Sequence, residues 1–258
     1  VELHAGDLLL LESFQVAYLP GRVPQKEFAA LIRRYPYVKE LLIVKYPPIG
    51  TFLNSLLNGH QVISDEELVS EYCEKAVWEL ADLIIYNKFP ELYDEKVSFH
   101  WTLDEIISKY ALDGKVIADV GAGTGQLAFL LAPYVDTVFA IEPISGLRTY
   151  MKQKASKYSI RNLFVMDGFL ESIQLPENFL DMLFTSNAIG WNLEKELMEI
   201  ERVVKPNGLA CHIMRMEKEP EDNPVHETLV SCEWKYKCNQ ASLENSMKAK
   251  YVKRILKF

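Results

Sequence analysis

The segment that decides the fold is "KVIADVGAGTGQLAFLLA", residues 115–132. An apolar run leads through Asp119 into three glycines at alternate positions, 121, 123 and 125, and a second apolar run follows. Glycine adopts backbone conformations closed to other residues, and its missing Cβ lets a ligand approach the main chain. A strand that turns into a helix this way opens a doubly wound sheet, whose ligands sit beyond the C-terminal strand ends.

The downstream pattern agrees. "TVFAIEP" (137–143), "LFVMDG" (163–168), "LDMLFTSNAI" (180–189) and "GLACHIMR" (208–215) read as strands. Between them, "GLRTYMKQKASKY" (146–158) and "LEKELMEIERVVK" (193–205) read as helices. Apolar strands alternating with amphipathic helices imply a parallel sheet covered on both faces. After a helix begun at Asn223-Pro224, the tail 234–258 reads as two further strands around a polar turn.

Upstream of about residue 112 the pattern is helical. Phe28, Leu31, Ile32 and Tyr35 recur at helical spacing, as do Ile49, Phe52, Leu53, Leu56 and Leu57. Ser64-x-x-Glu67 and Thr102-x-x-Glu105 read as capping boxes, the second opening a helix to about Tyr110. One apolar stripe runs from Leu68 to Ile84, and prolines at 20, 24, 36, 47, 48 and 90 punctuate the helices. The expected organisation is an α/β core at 99–258 behind an all-helical cap or lid at 1–98.

Composition narrows the partners. The 258 residues are 49% hydrophobic and 25% charged, with a formal net charge of −8. An acidic balance works against phosphate-backbone binding, so nucleic acid is disfavoured. The apolar stretches at 8–11 and 40–44 fall far short of the roughly 20 residues of a membrane helix. No secretory leader is read from Val1 onward. The four cysteines make no C-x-x-C and no zinc-ligand spacing, so reduced thiols, a cytoplasmic location and no metal site are expected.

Two ligand classes use a glycine turn of this kind. The dinucleotide fingerprint G-x-G-x-x-G needs a third glycine at 126, where this chain has Gln126. Glu142 follows Gly121 by about 20 residues, the spacing of a carboxylate that accepts from ribose hydroxyls. Asp119, Glu142 and Asp167 then place an acid at or near the end of three successive strands. That rim repels a pyrophosphate and suits a cationic ligand bearing a ribose.

At this point a family resemblance emerges. From about Lys115 to Arg215 the chain resembles a class I, Rossmann-like S-adenosylmethionine-dependent methyltransferase of the small-molecule "type 11" group. "VIADVGAGTG" resembles the family's first motif, and "AIEP" the acidic end of its second strand. "MDGFLESIQLPENFLDMLFTSNAIGW" resembles the segment carrying the adenine contact and fourth strand, and "EIERVVKPNG" the turn before the fifth.

The resemblance implies a seven-stranded sheet of order 3-2-1-4-5-7-6 and S-adenosylmethionine as cofactor, leaving as S-adenosylhomocysteine. It implies that Gly121, Ala122 and Gly123 lie against the methionine and ribose, with Asp119 near the methionine ammonium. Glu142 is expected on the ribose hydroxyls and Asp167 on the adenine amino group, with Gly168 and Phe169 around the base. Asn187 would turn its backbone carbonyl or side chain toward the methionine end.

For the acceptor, the fourth strand ends in "NAIGW", without the paired prolines of amino-group methylases or a Pro-Cys nucleophile. A small organic acceptor is expected. His100 is a weak candidate for base or substrate contact, and Trp191 for substrate contact. His212, among apolar neighbours, reads as a core histidine. The helices at 1–98 could close over the substrate or pack a homodimer. Two other functions stay open: a non-catalytic S-adenosylmethionine-binding module, and an NAD(P)-dependent oxidoreductase.

Overall fold

The computed structural model describes residues 1–97, 99–107, 110–217, 219–220, 223–243 and 246–257. The chain divides into two compact units, Val1–Lys96 and Val97–Phe258.

The first unit is helical: α1 (Ser13–Arg22), α2 (Gln25–Arg34), α3 (Pro36–Lys45), α4 (Ile49–Gly59), α5 (Glu66–Trp78), α6 (Ala81–Lys88) and α7 (Pro90–Lys96). Its core gathers Leu8, Leu11, Leu19, Phe28, Leu31, Leu42, Leu53 and Leu80, all fully buried. Burying each such side chain contributes roughly 1.5–3 kcal/mol relative to leaving it in water. Buried polar groups here are satisfied. The Gln15 amide accepts from the Glu12 N–H and from Asn87 Nδ2, and donates to the Leu83 carbonyl. The Arg33 guanidinium donates to the carbonyls of Leu57, His60 and Gln61, capping the C-terminal end of α4.

Three local expectations change. The cap of α5 is Asp65, whose carboxylate accepts from the Glu67 and Leu68 N–H groups, and not Ser64. The stripe from Leu68 to Ile84 is two helices, because the chain breaks at Glu79–Leu80 between α5 and α6. Pro20 lies inside α1 and not at its end. Of the aromatics, Phe28 is core and Tyr35, Tyr46 and Phe52 pack against it, whereas Tyr18, Tyr37 and Trp78 are exposed.

The second unit carries α8 (Leu103–Ile107), β1 (Val116–Val120), α9 (Gln126–Leu131), β2 (Thr137–Ile141), α10 (Ser145–Lys157) and β3 (Leu163–Met166). Then come β4 (Leu180–Ser186), α11 (Leu193–Val203), β5 (Val204–Met216), α12 (Pro224–Val230), β6 (Lys237–Leu243) and β7 (Ser246–Arg254). The strands form one sheet of order β3-β2-β1-β4-β5-β7-β6, the order implied by the resemblance. β1 to β5 are parallel, and β7 runs antiparallel between β5 and β6.

Period-two alternation sorts the side chains. Ile117, Val138, Phe184, Cys211 and Ile213 face one layer with Leu127, Leu131 and Met151. Ala118, Val120, Leu183, Ala210 and Tyr251 face the other with Leu197, Ile200 and Leu229. β5 starts earlier than its sequence suggests. The expected turn "KPNG" lies within it as an irregularity, with Asn207 at φ 65° and a shifted register between Leu180 and Met182. The capping box at α8 forms, Thr102 Oγ1 accepting from the Glu105 N–H at 3.3 Å and Glu105 accepting from the Thr102 N–H at 3.0 Å. The helix expected to reach Tyr110, and the polar turn between β6 and β7, run into residues outside those described. Among the described residues no helix is long and apolar enough to cross a membrane.

Candidate functional site

The turn after β1 needs its glycines. Gly121, Gly123 and Gly125 have φ of 71°, 58° and 82°, the left-handed region that L side chains rarely adopt. At Gly121 the need is also steric, since a Cβ there would lie 2.2 Å from the Cβ of Ala188. The turn is thus seated directly on the segment leaving β4. Gln126, where a dinucleotide fingerprint would have its third glycine, begins α9 and donates through Nε2 to the Val97 carbonyl at 3.1 Å.

Asp119 is fully buried. Its Oδ2 accepts from the Ala128 N–H at 3.0 Å, tying the end of β1 to the first turn of α9. Its Oδ1 is buried without a hydrogen-bond partner among the described residues. Burial, with a smaller push from the Glu142 charge and against the pull of the Ala128 N–H, raises the carboxyl to about 7.

Glu142, one residue beyond β2, is also buried. Its Oε2 accepts from the Gly123 N–H at 2.8 Å and its Oε1 from the Ile144 N–H at 3.0 Å. Each oxygen keeps a second lone pair. Burial shifts this carboxyl upward, while the two N–H groups and Arg148 act in the opposite direction. Arg148, on α10, joins two of the expected acids. It donates to the Glu142 carbonyl at 2.8 Å and to Asp167 Oδ1 at 3.0 Å. Asp167 is exposed, Phe169 half-buried, and Gly168 buried at a position where a Cβ would come within 2.9 Å of Ile141 Cγ2. Ala122 is half-buried within the glycine turn.

On the other side of β1, Asn187 leaves β4 at φ 54°. Its N–H donates to the Ile213 carbonyl at 2.9 Å, and its Oδ1 accepts from the Arg215 N–H at 2.7 Å. The side-chain oxygen is thus held by β5 through one of its two lone pairs. Trp191 exposes its indole from a turn whose N–H groups at Gly190, Trp191 and Asn192 all donate to the buried Glu196 carboxylate.

His100 is exposed, with Nε2 3.3 Å from the Arg215 guanidinium. A guanidinium can only donate, so Nε2 accepts and the ring proton sits on Nδ1. While that bond is made, His100 has no free basic nitrogen. His212, by contrast, is in the core: Nδ1 lies 2.9 Å from Thr185 Oγ1, Tyr236 packs beside it, and burial lowers it to about 3.

The structure thus gathers Asp119, Gly121, Ala122, Gly123, Glu142, Asp167 and Gly168 at the ends of β1, β2 and β3, and sets Asn187 and His100 around Arg215 at the end of β5. Arg148, Glu196 and Arg215 were not read from the sequence. Glu196 falls at i+4 from the cap Asn192, one position beyond that of the capping-box acid, where this chain has Lys195. Arg148 and Arg215 carry no local signal. Among the described residues no group of three or more His, Cys, Asp or Glu side chains could hold a metal ion.

Residues 118–212 match the family model described as "Methyltransferase domain". Over 111 residues the chain is 28% identical to the "Probable S-adenosylmethionine-dependent methyltransferase CRG1" of Saccharomyces cerevisiae, covering 41% of this chain and 38% of that one. The chain spans at most 52% of the length of the curated relatives it matches. Among solved structures, the PH0226 protein of Pyrococcus horikoshii OT3 superposes with a TM-score of 0.51 at 16% identity, over 66% of this chain and 97% of that one. The [4+2]-cyclase SpnF superposes with a TM-score of 0.50 at 13% identity, over 71% and 82%.

Proposed function

We propose that the chain is a class I, Rossmann-like S-adenosylmethionine-dependent methyltransferase, a reading supported by the family model matched at residues 118–212, the curated relative and the strand order. On this reading it binds S-adenosylmethionine and methylates a small organic acceptor. The observation that carries the cofactor assignment is Glu142, a buried carboxylate fixed by two backbone N–H groups with a lone pair to spare on each oxygen.

The residues fit that cofactor. Glu142 would accept from the ribose hydroxyls. Asp167, bonded to Arg148 through Oδ1, would turn its other oxygen to the adenine amino group. The orphaned Oδ1 of Asp119 would be satisfied by the methionine ammonium, directly or through a water. Gly121 to Gly123 would let the backbone approach. When bound, the cofactor supplies a sulfonium methyl to an acceptor nucleophile aligned behind it. The protein's part is then orientation and exclusion of water, and it needs a base only for a nucleophile that arrives protonated.

Calorimetric titration tests the reading. Saturable binding of S-adenosylhomocysteine without binding of NAD is expected, and Glu142→Ala should weaken it by about 1–3 kcal/mol. NAD binding in its place, or unchanged affinity in the folded variant, would overturn the assignment. Binding without transfer of labelled methyl into a metabolite extract would favour the non-catalytic module, since a fold by itself does not fix its chemistry.

A further inference from the structure

The described arginines differ in what their guanidinium groups face: Arg33 and Arg254 donate to backbone carbonyls, Arg161 is exposed ahead of β3, away from the C-terminal strand ends, and the rest divide as follows. Arg22, Arg34, Arg148 and Arg202 each meet a carboxylate: Asp82, Glu66, Asp167 and Glu199. Arg215 is exposed and meets no carboxylate among the described residues. Its NH1 donates to His100 Nε2 at 3.3 Å and its Nε to Ser246 Oγ at 3.1 Å. Both acceptors are neutral. They fix the direction of the guanidinium plane without cancelling its charge, and they leave NH2 uncommitted.

The supports of Arg215 are themselves held. Its backbone N–H is bound by Asn187, the neighbour in sequence of Ala188, which packs on Gly121. A continuous set of contacts therefore runs from the glycine turn, through the exit of β4, to the Arg215 backbone. The segment bearing His100 is fastened from β7. Lys248 donates to the His100 carbonyl at 3.3 Å and to Glu105, lies 5.0 Å from the Trp101 ring centre, and has its side chain only 11% exposed. Lys250 donates to the Glu105 carbonyl. Lys248 is thus neutralised and structural, and its charge does not serve a ligand.

We propose that Arg215, oriented by His100 and Ser246, is the anchoring point for a carboxylate on the methyl acceptor. The single planar fork matches the two oxygens of one carboxylate. Lys250 also meets no carboxylate among the described residues, but its ammonium is directed to the Glu105 carbonyl, so the fork of Arg215 is what this face offers an anion. In a chain of net charge −8, a fixed uncompensated cation on the rim also selects anions against the general repulsion. The inference rests on the methyl-transfer reading for the word acceptor, but the anion site stands on its own geometry. His100 becomes a positioning residue.

The test uses the full chain and a panel of aliphatic, aromatic and dicarboxylic acids, each beside its amide and its phosphate-ester counterpart. Binding is measured by calorimetry with and without saturating S-adenosylhomocysteine. At least one acid should bind about 10- to 100-fold more tightly than its amide, and added salt should weaken it. Arg215→Gln should remove that preference while affinity for S-adenosylhomocysteine, the control for folding, is unchanged. Arg215→Lys should recover only part of it, because an ammonium lacks the fork. His100→Ala should weaken the acid less than Arg215→Gln does, and His100→Gln, which keeps a neutral acceptor, should restore part of that loss. The proposal fails if no acid outbinds its amide, if the phosphate esters outbind the acids, or if Arg215→Gln leaves the preference intact. Acids bound through Arg215 by a protein that does not bind S-adenosylhomocysteine would uphold the anion site and sink the methyl-transfer reading.

Discussion

The two ends of the candidate site are built on opposite principles. At the ends of β1 and β2 the charges are acidic, buried and already engaged: Glu142 by the Gly123 and Ile144 N–H groups, Asp119 by that of Ala128. At the end of β5 the charge is cationic, exposed and held only by neutral partners, His100 and Ser246. At the first end, burial and backbone N–H groups hold the carboxylates in place. Exposure leaves the second end sensitive to salt.

The largest effect should come from the joint between the ends. Gly121→Ala combines a left-handed φ of 71° with a Cβ 2.2 Å from that of Ala188. The conformational cost is about 1–2 kcal/mol and the overlap costs about 1–3 more, because neither methyl can rotate away. We expect chemical unfolding to show a loss of roughly 2–5 kcal/mol, with cofactor binding and acid binding both impaired. Adding Ala188→Gly should recover the steric part and leave the conformational part. Equal losses in the single and double variants would mean that the turn does not rest on the β4 exit, and the two ends would then be independent.

Next in size is the pH response of Asp119. Its folded value of about 7 lies above the ordinary 3.8, so burial favours the protonated form. The stability it contributes is fully present below about pH 4 and is lost as pH rises through about 7. The loss is on the order of 2–4 kcal/mol across that window. Unfolding curves of the wild type and Asp119→Asn, followed from pH 4 to 8, should therefore diverge, with the variant flatter. A cation bound near Oδ1 favours the ionised form, so cofactor affinity should increase over the same window. Parallel curves for the two proteins would show that the acid end is not strained by its own burial, and the contrast drawn above would weaken.

Legibility in the sequence follows the same division. The sheet order and the acids at 119, 142 and 167 could be expected from short-range spacing, because each sits where a strand meets its helix. The joint at Ala188, and the assembly of residues 100, 187, 215, 246 and 248, could not. Their partners lie up to 148 residues apart along the chain. Register decides those meetings: Arg215 pairs with Lys248 in the β5–β7 ladder, which brings Ser246 to one side and the Trp101 segment to the other. Single residues also misled. Ser64 and Asp65 are both good caps, and only the backbone geometry chooses between them.

The smallest expected effect separates two arginines. Arg148 belongs to the acidic end, where it donates to the Glu142 carbonyl and to the exposed Asp167, so it orients acids and need not touch a ligand itself. Arg148→Met should weaken S-adenosylhomocysteine by only about 0.5–1 kcal/mol, the range for a partly exposed ion pair, and should leave acid binding alone. The loss should be greater toward acidic pH, because Arg148 opposes the upward shift of Glu142 and its removal brings protonation of that carboxyl closer. Arg215→Gln should do the reverse, sparing the nucleoside and releasing the acid. Titration of both variants with both ligands gives four affinities. A cation that matters only through its neighbours and one that meets the ligand directly then leave different patterns, and a matching pattern in the two variants would show that the ends are not built differently after all.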